Sequence, residues 1–250
     1  MSGRIVLVAL GMSACVQDVV LARPRDVDAA ATDADTDADT VGTDADTDSE
    51  ARDVAVIGPV VTGALIATFD RAEESEPDRG ETRFSFRWID PGRAGSAGRL
   101  TVESSAGVAE LPLTDGQYTG AQRGYADVYT LVMAYEGAVE RYTVRSLRPH
   151  RIEAPSLGAR VRPATPLEVR WEPAGAPSAT LASNGLPETP VRDTGRFVLP
   201  ATALMGAIGR STEDTVRVRR AADVTVLGAA PGSTVRVVVL RASPFVVDPR

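Results

Sequence analysis

Three segments alternate strictly between apolar and polar side chains. RFSFRW, Arg83 to Trp88, sets Phe84, Phe86 and Trp88 against Arg83, Ser85 and Arg87. LEVRW, Leu167 to Trp171, has the same pattern, and DTVRVRR places Val216 and Val218 opposite Arg217 and Arg219. A period of two is that of a half-buried strand. Ala126 to Leu147 reads as two strands joined at Glu136-Gly137, and Ala222 to Ala242 as two more joined near Pro231-Gly232. The best helical candidate is ATALMGAIG, Ala201 to Gly209, at most two turns long. Gly and Pro fall mainly between the alternating runs, where turns require them. The fold class expected for residues 54–250 is therefore all-β.

A faint repeat subdivides this body. RWIDPG, Arg87 to Gly92, and RWEPAG, Arg170 to Gly175, each end an alternating run with Arg-Trp and then turn. Each half closes with a hairpin. Two β-sandwiches of about 95 residues fit the available length, over 54–149 and 150–250, with the boundary in LRPHRIEAP, Leu147 to Pro155. Trp88 and Trp171 are expected to pin the two cores. TDGQYTG, Thr114 to Gly120, resembles the Asp-Gly-x-Tyr corner of immunoglobulin-like domains. The resemblance implies that the Tyr118 hydroxyl bonds backward to the chain, and it marks fold rather than function.

The first 53 residues break the pattern. Arg4 precedes an apolar run, Ile5 to Met12, and two small residues, Ser13 and Ala14. Positive, apolar, small is the order of an export signal, and the run is about half the roughly 20 residues that span a bilayer. MSAC, Met12 to Cys15, resembles the lipobox of bacterial lipoproteins, with Met12 where Leu is usual. It implies cleavage after Ala14 and acyl chains on Cys15, the single cysteine of the chain. Several acyl chains anchor firmly where one does so only marginally. From Asp26 to Glu50 there are nine Asp, one Glu and no aromatic residue. Such a segment, 15–53, is expected to be a disordered tether, about 30–37 Å across as a flexible coil. Residues 1–53 carry 12 acidic residues and 4 Arg; the rest of the chain carries 22 and 23. The net charge of −7 thus belongs to the N-terminal segment. The whole resembles predicted bacterial lipoproteins with an Asp-rich linker and tandem immunoglobulin-like sandwiches, and 27 Arg without Lys fits a GC-rich genome. Val16 and Gln17 lack the early Asp associated with inner-membrane retention, which points to the outer membrane.

Composition narrows the chemistry. Without Lys there is no phosphate-loop lysine and no Schiff base. With one His, His150, no His-based zinc site forms within one chain, and a Ser-His-Asp triad would have to use that residue. His150 falls in RPHRI and is expected to be a solvated linker residue whose flanking arginines lower its pKa. AGSAG, Ala94 to Gly98, misses the G-x-S-x-G elbow at its first position. Asp33, Asp35 and Asp37 have the opening spacing of a calcium loop, but Ala38 and Asp44 stand where that loop needs Gly and Glu. No cofactor, metal or catalytic residue is expected, and a body of near-zero net charge speaks against nucleic acid. The candidate binding face is Tyr125, Tyr129, Tyr135 and Tyr142. Around it, Tyr129, Leu131, Met133 and Tyr135 share one face of a strand while Val128, Val132 and Ala134 make the other apolar as well. Arg217 to Arg220 is expected to be a solvated strand face. The function expected is a non-catalytic envelope lipoprotein presenting its sandwiches to a protein or glycan. The alternatives are a carboxylate hydrolase, with Glu103 and Glu110 as candidates, and a spacer without ligand.

Overall fold

The computed structural model describes residues 58–69, 80–91 and 98–249. The expected signal peptide, Cys15 and the acidic tether lie outside the described residues. The fold is all-β. Sixteen strands follow one another among the described residues. The first eight are β1 (Val60–Phe69), β2 (Glu81–Ile89), β3 (Arg99–Ser104), β4 (Gly107–Leu111), β5 (Leu113–Thr114), β6 (Gln117–Arg123), β7 (Val128–Tyr135) and β8 (Ala138–Arg145). The next six are β9 (Ile152–Ala154), β10 (Arg160–Val161), β11 (Leu167–Trp171), β12 (Ser178–Ser183), β13 (Leu186–Val191) and β14 (Arg196–Leu199). The last two are long, β15 (Thr212–Leu227) and β16 (Thr234–Val247). The expected helix at 201–209 is a single 3-10 turn, Ala201–Ala203.

The alternation read from the sequence sets the register. In β2, Phe84 and Phe86 are buried while Arg83 and Arg87 are exposed. In β11, Val169 and Trp171 are buried between exposed Glu168 and Arg170. The β7–β8 hairpin turns through Glu136-Gly137, with Gly137 at φ 77°. The β15–β16 hairpin turns through Pro231-Gly232, with Gly232 at φ 88°, a left-handed conformation that costs glycine little.

The main sheet runs β4-β3-β7-β8-β15-β16-β1-β2-β6-β5, with β10 on β16 and β12 bridging β13 to β15. It folds over so that β2 packs on β7 and β8: the rings of Phe84 and Tyr129 lie 5.6 Å apart and those of Trp88 and Tyr142 5.1 Å. Between these faces lies the first core, which includes Leu65, Phe86, Leu100, Leu131 and Val144. It also takes Val226, Val235, Val237 and Val239 from the final hairpin. A second sheet, β14-β11-β9, closes the second core. There Ile152, Val169, Trp171 and Leu199 pack with Leu181, Val216, Val218, Phe245 and Val247. One hairpin thus lies in both sandwiches, paired without interruption from Thr212↔Val247 to Thr225↔Thr234.

Two details fix the first sandwich. The Tyr118 hydroxyl donates to the Gly98 carbonyl at 2.8 Å, a bond backward along the chain. At Gly63 the backbones of β1 and β2 approach so closely that a Cβ would lie 2.1 Å from the Ser85 carbonyl oxygen. Gly63→Ala must therefore push two central strands apart. We expect a loss of about 1–3 kcal/mol, the usual cost of overpacking, read from urea melts.

Candidate functional site

The inward face of the hairpin changes character midway. Every second residue of β16 points inward: Val235, Val237 and Val239 into the first core, Phe245 and Val247 into the second. Between them the same face carries Arg241 and Ser243, 1% and 0% exposed. On β15, Val216 and Val218 are followed in the same parity by Arg220, also 1% exposed. Two guanidinium groups are therefore seated where the cores meet. The expectation that Arg217 to Arg220 forms a solvated face is corrected at Arg220. Its position on the strand puts it on the same side as Val216 and Val218.

Burying a guanidinium is tolerable only with compensation. Arg220 Nε donates to Asp193 Oδ1 at 3.1 Å, and the two side chains are 1% and 2% exposed. Its Nη2 donates to the Glu172 carbonyl. Asp193 is satisfied further by Trp171 Nε1 at 2.8 Å and by the backbone N–H groups of Ala176 and Ala174 at 2.9 and 3.2 Å. Burial alone would raise the Asp193 pKa; these donors and the Arg220 charge outweigh it and hold the carboxyl below its ordinary range. Trp171, expected as a core pin, is thus buried and also the anchor of an ion pair. Trp88, its counterpart in the repeat, is only partly buried and packs on Tyr142. Arg241 lies with its guanidinium carbon 3.9 Å from the centre of the Phe69 ring, in cation–π geometry.

His150 completes the junction and overturns its expected role. It is 1% exposed rather than solvated. Its Nε2 lies 3.1 Å from the Val218 carbonyl oxygen. A carbonyl only accepts, so Nε2 carries the proton and Nδ1 presents a lone pair. Nδ1 is buried and has no hydrogen-bond partner. The pKa falls to about 3, first through burial and then through the charges of Arg220 and Arg241. The arginines that matter come from β15 and β16, not from the flanking sequence. His150 is one of the residues lining a cleft of about 380 Å³, with Arg241, Tyr125, Asp127, Arg148, Arg151 and Glu172.

The tyrosines expected to offer a contact face are placed mostly inside. Tyr125, Tyr129 and Tyr142 are 3%, 0% and 8% exposed; only Tyr135 is half-buried. Tyr125 and Tyr129 come together at 6.1 Å in an aromatic row that runs from Phe69 through both to Phe84. Their hydroxyls have internal partners. Tyr125 bonds Ser146 and the Leu147 carbonyl, and Tyr129 accepts the Ala126 N–H at 2.9 Å. Tyr142 donates to Glu140 at 2.9 Å beside Trp88. Burial raises the pKa of each of these three. Burial, then the Asp90 carboxylate, pushes Tyr135 up to about 12. The opposite face of β7 is only partly buried. Val132 is 8% exposed, with Thr101 and Arg141 beside it in register. Arg141 pairs with Glu103 at 2.8 Å and Arg99 with Glu110 at 2.5 Å, while Val128 on the same face is 45% exposed. The two candidate carboxylates are thus each held by an arginine.

No family model matches the chain, and no curated protein matches it. Among solved structures it is similar to a chimeric titin Z1Z2 functionalised with a KLER exogenous peptide from decorin. The identity is 11%, the match covers 78% of this chain and 100% of that one, and the TM-score is 0.23.

Proposed function

We propose that the chain is a non-catalytic lipoprotein of the bacterial cell envelope, held through Cys15 in the outer membrane, that presents its β-sandwich body to a protein or glycan. One observation carries this reading: the order of an apolar run, MSAC and an acidic stretch ahead of an all-β body. A charged, self-repelling segment between an acyl anchor and a folded body acts as an extended spacer. Among the described residues, Ile208 and Met205 are 90% and 61% exposed and leave apolar side chains free for contact. The test is metabolic labelling with palmitate in a bacterial host. The wild-type chain should take up label and fractionate with membranes, while Cys15→Ser takes up none and leaves the membrane fraction. An unlabelled wild-type chain would refute the anchor.

A further inference from the structure

We infer that one end of the second sandwich docks on an anionic phospholipid surface, with Ile208 and Met205 entering the acyl boundary and Arg162 and Arg210 meeting the lipid phosphates. This adds a contact to those proposed above and rests on that reading only for where the lipid is met.

The apolar side chains sit on and beside a tight turn. Ala207 and Arg210 form an antiparallel bridge, and Gly209 between them has φ 69°. Ile208 opens that turn, where Gly, Pro, Asn, Asp or Ser is usual, and it is 90% exposed. Met205, three residues earlier, is 61% exposed. Neither joins the second core. An isoleucine held in water by its own turn exposes apolar area without any return in packing, and burial against a partner recovers it.

The turn is tied to an apolar groove. Pro163, Ala164, Ala201 and Pro249 line a cavity of about 750 Å³ together with Arg162. Ala201 and Thr202 lead from the groove toward the turn. Where the chain returns, Arg160 Nη2 donates to Ser211 Oγ at 3.1 Å. Thr212 then donates to the Met205 carbonyl at 2.7 Å and pairs with Val247, next to Asp248 of the groove.

Charge selects the partner. Residues 156–167 and 200–212, which carry the groove and the turn, hold three arginines and no acidic side chain. Asp248 is taken by Arg160 at 2.8 Å, and Glu213 follows exposed on β15. Among the described residues no carboxylate pairs with Arg162 or Arg210, both exposed. Arginines beside apolar side chains suit the boundary between acyl chains and headgroups, where the apolar groups enter and the guanidinium groups bond phosphate. A neutral apolar partner would leave both arginines unused. A soluble anion would leave Ile208 and Met205 in water. A second copy would bring arginines without carboxylates to answer them. The contact is weak by itself, and a chain already fixed to the membrane makes it at high effective concentration.

Cys15 is the single cysteine of the chain, which makes the test direct. Cys15→Ser with Ile208→Cys gives a full-length, unacylated chain with one thiol, at the turn. That thiol is labelled with the polarity-sensitive fluorophore NBD and titrated with vesicles of phosphatidylcholine and phosphatidylglycerol in equal parts. Its emission should shift saturably to the blue and escape quenching by aqueous iodide. The same label at Val139→Cys, an exposed position on β8, should do neither. Arg162→Gln with Arg210→Gln should raise the lipid needed for half the shift by at least about tenfold, since each arginine contributes about fivefold near an anionic surface. Vesicles of phosphatidylcholine alone should have the same effect. No shift at saturating lipid, an equal response from the Val139→Cys label, or a double variant that responds like its parent would overturn the inference. So would a blue shift without vesicles that grows with protein concentration, which would give the turn to a second copy. The chain under test carries no acyl group, so failure here leaves the anchor standing, and failure of palmitate labelling leaves this contact standing.

Discussion

Asp193→Ala should lower the unfolding free energy in urea melts by about 3–5 kcal/mol, the range for stripping one partner from a buried ion pair. The substitution leaves Arg220, 1% exposed, without its counter-charge. It also removes the acceptor for Trp171 Nε1 and for two backbone N–H groups in the 174–176 turn. Most of the cost is that of groups left buried and unpaired, not the net worth of the pair. Adding Arg220→Met to Asp193→Ala should therefore recover part of the loss, since no uncompensated charge remains. A loss below about 1 kcal/mol for the single variant would place the pair in solvent, where ion pairs contribute that little.

Acid should weaken the protein through His150 before it reaches the carboxylates. The folded-state pKa is about 3 against an ordinary value of 6.5. Above 6.5 both states are neutral at this group and stability does not depend on it. Between 6.5 and 3 the unfolded chain takes up a proton that the folded chain refuses, so stability falls as pH falls. The slope is about 1.4 kcal/mol per pH unit, or about 4–5 kcal/mol over the window. Asp193 acts in a lower range. Its folded pKa is depressed below 3.8, so its stabilisation is present above that value and lost as pH falls through the folded one. Urea melts at about pH 7 and about pH 5 should differ by about 2 kcal/mol, in a range where an unperturbed carboxylate stays ionised. His150→Gln should flatten that difference. Equal stability at the two pH values in the wild type would mean that the ring is solvated.

How much of this was legible in the sequence follows from the range of each interaction. The alternation of Phe84, Phe86 and Trp88, and the turns at Glu136-Gly137 and Pro231-Gly232, are local, and they give strands and hairpins directly. The stripe in β16 is also visible in the sequence: Val235, Val237, Val239, Arg241, Ser243, Phe245 and Val247 share one parity. Read that way, it would have marked Arg241 as a charge inside an apolar face, and the parity of Val216 and Val218 would have done the same for Arg220. What was not legible is partnership at a distance. Asp193 is 22 residues from Trp171 and 27 from Arg220, and no local pattern links them. His150 reads as linker because its neighbours are Arg and Pro; its burial is set by β15, 68 residues away. The tyrosines were legible as amphipathic groups with internal or external uses. The internal use prevails at Tyr125, Tyr129 and Tyr142 because the facing strands supply aromatic neighbours and groups close by in sequence supply the hydroxyl partners. The expected boundary at 149–150 lies beside His150, while the hairpin that follows runs through both cores. Residues from the far end of the chain therefore complete the first sandwich.

The dry, arginine-flanked seat of His150 is the feature on which the acid response depends. It is tested most directly by the 15N spectrum of the lone imidazole in the folded chain at about pH 5, where an unperturbed histidine is mostly protonated. The result expected is a neutral ring, with Nε2 protonated and Nδ1 bare, in a chain whose other resonances remain native. An imidazolium in a native chain, titrating near 6.5, would contradict it.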